Sequence, residues 1–231
     1  MMILKRVFAI ALLFVISVAH ASATAITRVD PVYVEQEDGV VSTLGGYVFS
    51  ITNDYGQTAF DGFTMVENVS DEPIRFGNVQ MCVVTGRNTI IDVVQAAIIQ
   101  PGVVPPDGFA MFGVSEIRDY ALPDGAEYAL VYDAVLDTKK TAWRAFDAQI
   151  EPYTGSTAVK IIADIDDLSP GMYEAILCAF DDAGRLVFAD NRDFNTEYTE
   201  KLSVSIEDRE VELLRSSGLM PVQALAVIYE K

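Results

Sequence analysis

Carboxylates are the one chemically capable group this sequence supplies in quantity. Asp164, Asp166 and Asp167 stand just ahead of a Ser169-Pro170-Gly171 turn, and Asp181, Asp182, Asp190 and Asp193 flank a second turn. Calcium takes six to eight oxygens, often from loop carboxylates at alternate positions. Asp164, Asp166, Asp167, Asp181 and Asp182 are therefore the candidate metal ligands, and Ca2+ is the one cofactor they would suit. Neither an EF-hand spacing nor a Gly-Asp repeat is present, and Asp in such places also does plain turn chemistry. Paired carboxylates can serve a glycosidase. With 34 acidic residues in the chain, however, any fold brings some pairs together. Trp143, Tyr128, Tyr132 and Tyr153 could form an aromatic sugar platform, or equally pack as single aromatics on alternating strands. No catalytic residue and no cofactor-binding residue is assigned.

The start of the chain explains what other chemistry is missing. Lys5 and Arg6 precede an apolar run over Val7–Val18, and Ala21-Ser22-Ala23 has the small-x-small form of an export cleavage site. We read residues 1–23 as a signal peptide cut after Ala23, too short for a comfortable membrane span. Its removal takes Lys5 and Arg6 from the 16 basic residues, leaving 14 against 34 acidic ones and a net charge of −20. It also takes His20, the single histidine. A Ser-His-Asp or Cys-His site and a His-ligated metal are thereby excluded. So strong an acidity excludes nucleic acid, because phosphate binding needs a basic footprint. Cationic partners remain compatible. The expectation is a periplasmic or secreted protein with no membrane span once the leader is gone.

Strand-like runs arrive every 10–15 residues with turn chemistry between them, and no helical period persists. The order is Pro31–Gln36, Tyr47–Thr52, Phe60–Asn68, Val79–Thr85, Thr89–Ile99, Phe109–Ile117 and Glu127–Val135. After a polar linker at Asp137–Lys140 come Ala142–Ile150, Ala158–Ile165, Tyr173–Phe180, Leu186–Ala189, Leu202–Ile206 and Val222–Glu230. The one helix expected is Glu207–Ser216, stopped by Gly218.

Ala175–Asp190 is two apolar runs about Asp181-Asp182-Ala183-Gly184, and Asn78–Ile91 is a weaker copy turning at Gly86-Arg87-Asn88. Cys82 and Cys178 sit at matching places. About fifty residues beyond each lies a strand with a Tyr-acid pair, Tyr132-Asp133 and Tyr229-Glu230. The repeat predicts an all-β protein of two antiparallel β-sandwich domains in tandem, residues 24–136 and 137–231. Each Cys would then lie in its own core as an unpaired thiol; the alternative is a Cys82–Cys178 bridge, which needs their Cα atoms within about 7 Å.

The succession of a strand, Asn68–Ile74, an aromatic-Asp step and an Asp-x-x-Gly hairpin resembles the FxLYD-type immunoglobulin-like domains of exported bacterial and archaeal proteins. Ala179-Phe180-Asp181 stands where that family has Leu-Tyr-Asp. The first copy has Thr85-Gly86 there instead. The resemblance spans roughly residues 60–116 and 158–206, and implies an extracytoplasmic, non-catalytic module.

Thr89–Pro106 is the most apolar stretch after the leader. As one strand, both its faces are apolar, so both need cover. Val93, Val94, Ile98 and Ile99 are the candidate partner-binding residues, facing a protein partner, a second copy or the sister domain. The function expected is an exported binding or structural module acting on proteins. The alternatives are a carboxylate-based hydrolase and a calcium-dependent adhesion module. A deep pocket of converging acids would favour the hydrolase, and an apolar edge or groove the module.

Overall fold

A computed structural model describes residues 26–34, 39–86 and 89–231. The leader with its cleavage site, the end of the first strand and the Arg87-Asn88 step of the first turn lie outside the described residues.

Among the described residues the protein is all-β apart from one short helix. The first half holds β1 (Ile26–Val34), β2 (Val41–Thr52), β3 (Thr58–Asn68), β4 (Ile74–Thr85), β5 (Thr89–Gln95), β6 (Ile98–Gln100), β7 (Phe109–Arg118) and β8 (Glu127–Leu136). They run in the order β5-β4-β8-β1-β2-β3-β7-β6. Strand β1 joins two arms of this sheet. Residues 26–31 pair antiparallel with β2, and Val32–Val34 pair parallel with β8. The change of partner falls at Pro31, which has no N–H to give a ladder. The arms share one core, with Val48, Phe60 and Phe112 from one and Met81, Val83 and Leu130 from the other.

The second half holds β9 (Trp143–Pro152), β10 (Val159–Asp164), β11 (Met172–Phe180), β12 (Leu186–Asn195), β13 (Lys201–Ile206), α1 (Asp208–Ser216) and β14 (Gln223–Glu230). Its antiparallel sheet runs β12-β11-β14-β9-β10-β13. One face forms a core with Ala175, Leu177, Ile161, Val204 and Ile228, closed by Val211 and Leu214 of α1. The helix ends as expected, with Gly218 at φ +71°.

The repeat seen in the sequence is a repeat of pairing. Each Cys strand lies between its hairpin partner and its Tyr-acid strand, β5-β4-β8 in one half and β12-β11-β14 in the other. Cys82 is in register with Ala129, and Cys178 with Leu225. Neither cysteine is in a disulfide, and both are buried. Burial pushes the Cys178 thiol up to about 12, so it is a poor nucleophile. Alkylation without reductant should therefore add two labels to the denatured chain and leave native Cys178 unmodified. A single label, or none, on the denatured chain would contradict reduced cysteines.

Several local expectations change: β2 begins at Val41 rather than Tyr47, β4 at Ile74 rather than Val79, and β12 runs on to Asn195 rather than ending at Ala189. Thr89–Ile99 is not one strand: it breaks at Ala96-Ala97, and β5 pairs with β4 while β6 pairs with β7 on the other arm. The apolar pattern runs on through the break because both pieces feed the same core. The first strand also begins earlier, at Ile26, where Arg28 and Asp30 form a salt bridge of 3.1 Å.

The halves meet along a seam. Phe63, Met65 and Met111 on the outer face of the β2-β3-β7 arm pack against Ile176, Cys178 and Val227. The Tyr229 hydroxyl donates to the Phe109 carbonyl at 2.6 Å and accepts the Phe109 N–H at 2.8 Å. Trp143 meets the Phe109 ring edge-on at 5.6 Å. Asn191 donates to the side-chain oxygen of Gln100, which donates in turn to Asp193 at 3.2 Å.

Candidate functional site

The β5-β4-β8 sheet turns Met81, Val83 and Leu130 inward, so alternate residues point away from the core. On that outer face Val93, Cys82, Ala129 and Tyr33 stand in register across four strands. Val131 and Val135 extend the row along β8, with Glu127 and Asp133 exposed on the same face. Tyr33 is 57% exposed, Val135 57%, Val131 46% and Val93 38%. The matching face in the second half, around Cys178, is covered by the β2-β3-β7 arm. Among the described residues no β-sheet packs over the face around Cys82, although Cys82 itself is buried.

The four partner-binding candidates therefore separate. Val93 belongs to the open face. Val94 is wholly buried in the first core, and Ile98 and Ile99 are half-buried on β6. The segment links the arms of one half rather than lying between domains as a single strand.

The candidate metal ligands are engaged in turns. Asp181 is buried, and its carboxylate accepts the N–H groups of Ala183 at 3.0 Å and Arg185 at 2.9 Å. Arg185 Nη2 lies 2.6 Å from the same carboxylate. Asp182 is exposed beside it. Asp164 pairs with Lys201 at 3.7 Å and also accepts the Asp166 N–H. Asp166 is raised above the ordinary range, chiefly by the Asp164 charge, and Asp167 is exposed on the following turn. Among the described residues no group of three or more potential ligands is placed to hold a metal ion. The four aromatics are dispersed: Tyr128 packs edge-on to Phe60, Tyr132 against Phe76 and Phe112, Trp143 on Phe109, and Tyr153 bonds Ser205.

A cleft of about 290 Å3 lies on the seam, and sequence reasoning did not find it. Phe49, Phe63, Met111, Ile98 and Phe188 wall it, and Asp61, Asp190, Glu207 and Glu210 line it. Gly62 is needed here, because a Cβ would fall 2.8 Å from the Tyr47 carbonyl. Asp61 faces the water of the cleft yet is crowded by protein, and desolvation followed by the Asp190 charge raises its carboxyl. Asp190 is raised by desolvation, against the pull of Arg192 at 3.2 Å. Burial, with the charges of Asp61, Glu207 and Asp190, lifts Glu210 to about 7. Its carboxylate accepts the Glu207 N–H at 3.0 Å. Only the abundance of acids hinted at this cluster; its members come from β3, β12 and α1 with its N-cap.

No family model, curated protein or solved structure matches the chain. No helix among the described residues is long and apolar enough to cross a membrane.

Proposed function

We propose that the chain is an exported, non-catalytic binding module of two immunoglobulin-like domains, residues 24–136 and 137–231, which docks a protein through the outer face of β5-β4-β8. The observation that carries this is the exposed apolar side chains Val93, Tyr33, Val131 and Val135 on one face, in register about the half-buried Ala129 and the buried Cys82. Such a face, rimmed by acids, suits a partner surface with an apolar centre and basic margins. The net charge of the chain, −18 with the leader, would favour the same partner at a distance. The second half supplies the precedent: its equivalent face is packed by a β-sheet.

The seam cleft is what the hydrolase alternative would use. Two of its acids are already engaged, Glu210 by the Glu207 N–H and Asp190 by Arg192. A two-carboxylate mechanism needs one acid to hold a proton and another to act as base or nucleophile. The cleft meets the condition expected of a hydrolase, converging acids with raised carboxyls; the engagements of Glu210 and Asp190, with the apolar face of β5-β4-β8, are what weigh for binding instead.

A photo-crosslinking amino acid in place of Val131, in the cell envelope of the source, should yield one discrete protein adduct. Adding Val93→Glu should abolish it. No adduct at Val131, or one indifferent to Val93→Glu, would refute docking on this face.

A further inference from the structure

The seam cleft brings acids of both halves to one place. Asp61 comes from β3 in the first half, and Asp190 from β12, Glu207 from the N-cap of α1 and Glu210 from α1 in the second. The other elements lining it add no charge: β2 contributes Phe49, β6 Ile98, β7 Met111 and Ser115, and β13 Ser205. Among the described residues no Lys or Arg lines the cleft, and Arg192 lies 3.2 Å from Asp190. Elsewhere the halves are joined by apolar packing and uncharged hydrogen bonds at Tyr229–Phe109 and Asn191–Gln100, with the Gln100–Asp193 bond added. Helix α1 covers the second core and touches β1 of the first half. Movement of α1 or β12 away from β3 is thus a movement of one half against the other.

We propose that the cleft is a proton-operated seam: while Asp61, Asp190 and Glu210 hold protons among them the halves stay packed, and when all three are ionised their repulsion opens the seam. The physical basis is like charge in a partly desolvated space. Glu210, at about 7, places the change near neutrality, and Asp61 and Asp190 are raised in the same direction. The sign follows directly. A carboxyl raised in the packed state favours that state when protonated, so packing tightens as pH falls through about 7 and loosens above it. This does not depend on what binds the outer face of the first half.

Hydrogen exchange on the full chain, corrected for intrinsic rates, tests the idea at about pH 5.5 and about pH 8.5. Amides of β3 and α1 beside the cleft should open about tenfold more often at the higher pH, the factor for one unit of pKa difference. Amides in β8, remote from the cleft, should not change. Asp61→Asn and Glu210→Gln should each flatten the dependence, and either alone suffices, since Asp61 is exposed and Gln can still accept the Glu207 N–H. Equal opening at both pH values in the unaltered protein, or an undiminished pH dependence in the variants, would overturn the proposal.

Discussion

Val94→Lys is expected to unfold the first half, whereas Val93→Lys next to it leaves the fold standing. Val94 has no exposed surface and lies in register with Met81, also buried, inside the core shared by the two arms. Val93 is 38% exposed and in register with Cys82 on the outer face. An ammonium at position 94 finds no acid in that core, and an uncompensated buried charge costs about 3–5 kcal/mol. Domains of this kind hold about 5–15 kcal/mol in total. The change therefore removes a large part of the stability, on top of the packing of a valine worth about 1.5–3 kcal/mol. At position 93 the lysine stem can lie along the sheet with its charge in water, so stability should move by about 0.5 kcal/mol or less. Urea unfolding followed by far-ultraviolet circular dichroism measures both. Equal midpoints for the two variants would mean that β5 is not seated with Val94 inward. The same pair bears on the docking face: Val93→Lys should remove partner contact in a folded protein, which Val94→Lys cannot report on.

This contrast also marks how far the sequence could be read. Strand positions were legible because they are local. Alternation or unbroken apolar runs, punctuated by Asn53–Gly56, Ser70–Pro73 and Pro123–Gly125, place β3 and β8 to within two residues of their ends and the end of β2 at Thr52, though β2 starts six residues before the expected Tyr47. The recurrence of a Cys strand and a Tyr-acid strand in each half was legible as a repeat; that the two pair was not. The break in Thr89–Ile99 was not, because Ala96 and Ala97 are apolar and no turn residue announces a change of sheet. Which face of β5 is open depends on β4 and β8, and on the absence of a layer beyond them, so periodicity alone marks Val93 and Val94 alike. The expectation that two-faced strands need cover was sound for β11, whose faces meet the second core and the seam. The acid cluster lay out of reach for a related reason. Asp61 reads as an ordinary polar residue of a strand, Asp190 as one of many acids near the hairpin, and Glu210 as a first-turn helix acid. Only the packing of the halves turns them into one electrostatic unit.

The hairpin about which the second half is built should fail if Asp181 loses its carboxylate. The backbone turns sharply here, with the Asp181 N–H on the Arg185 carbonyl at 3.0 Å, the Gly184 N–H on the Asp181 carbonyl at 3.1 Å, and Gly184 at φ +76°. The carboxylate holds the remaining donors, the N–H groups of Ala183 and Arg185, and its side chain is 1% exposed. Asp181→Ala orphans both amides in a poorly solvated place, at about 1–3 kcal/mol each, so a loss of about 3 kcal/mol or more is expected. The ion pair adds little to this figure, because Arg185 is 55% exposed and solvent screens it. Asp181→Asn keeps an oxygen to accept both N–H groups and gives up the charge, and should cost about 1 kcal/mol. Its pH dependence separates the two contributions. Burial opposes ionisation of Asp181, but the bonds from Arg185 and the Ala183 N–H outweigh it and hold the carboxyl below the ordinary range. A depressed folded-state pKa gives stability that is present above the unfolded value, about 3.9, and is lost as pH falls through the folded one. The advantage of the natural residue over Asn should therefore be full at about pH 7 and shrink at about pH 3, while the deficit of Ala persists at both. Urea midpoints ranked Asp, Asn, Ala at neutral pH, with the first two converging in acid, are the expected result. An Ala variant as stable as the Asn variant would show that the side-chain bonds to Ala183 and Arg185 do not hold this turn.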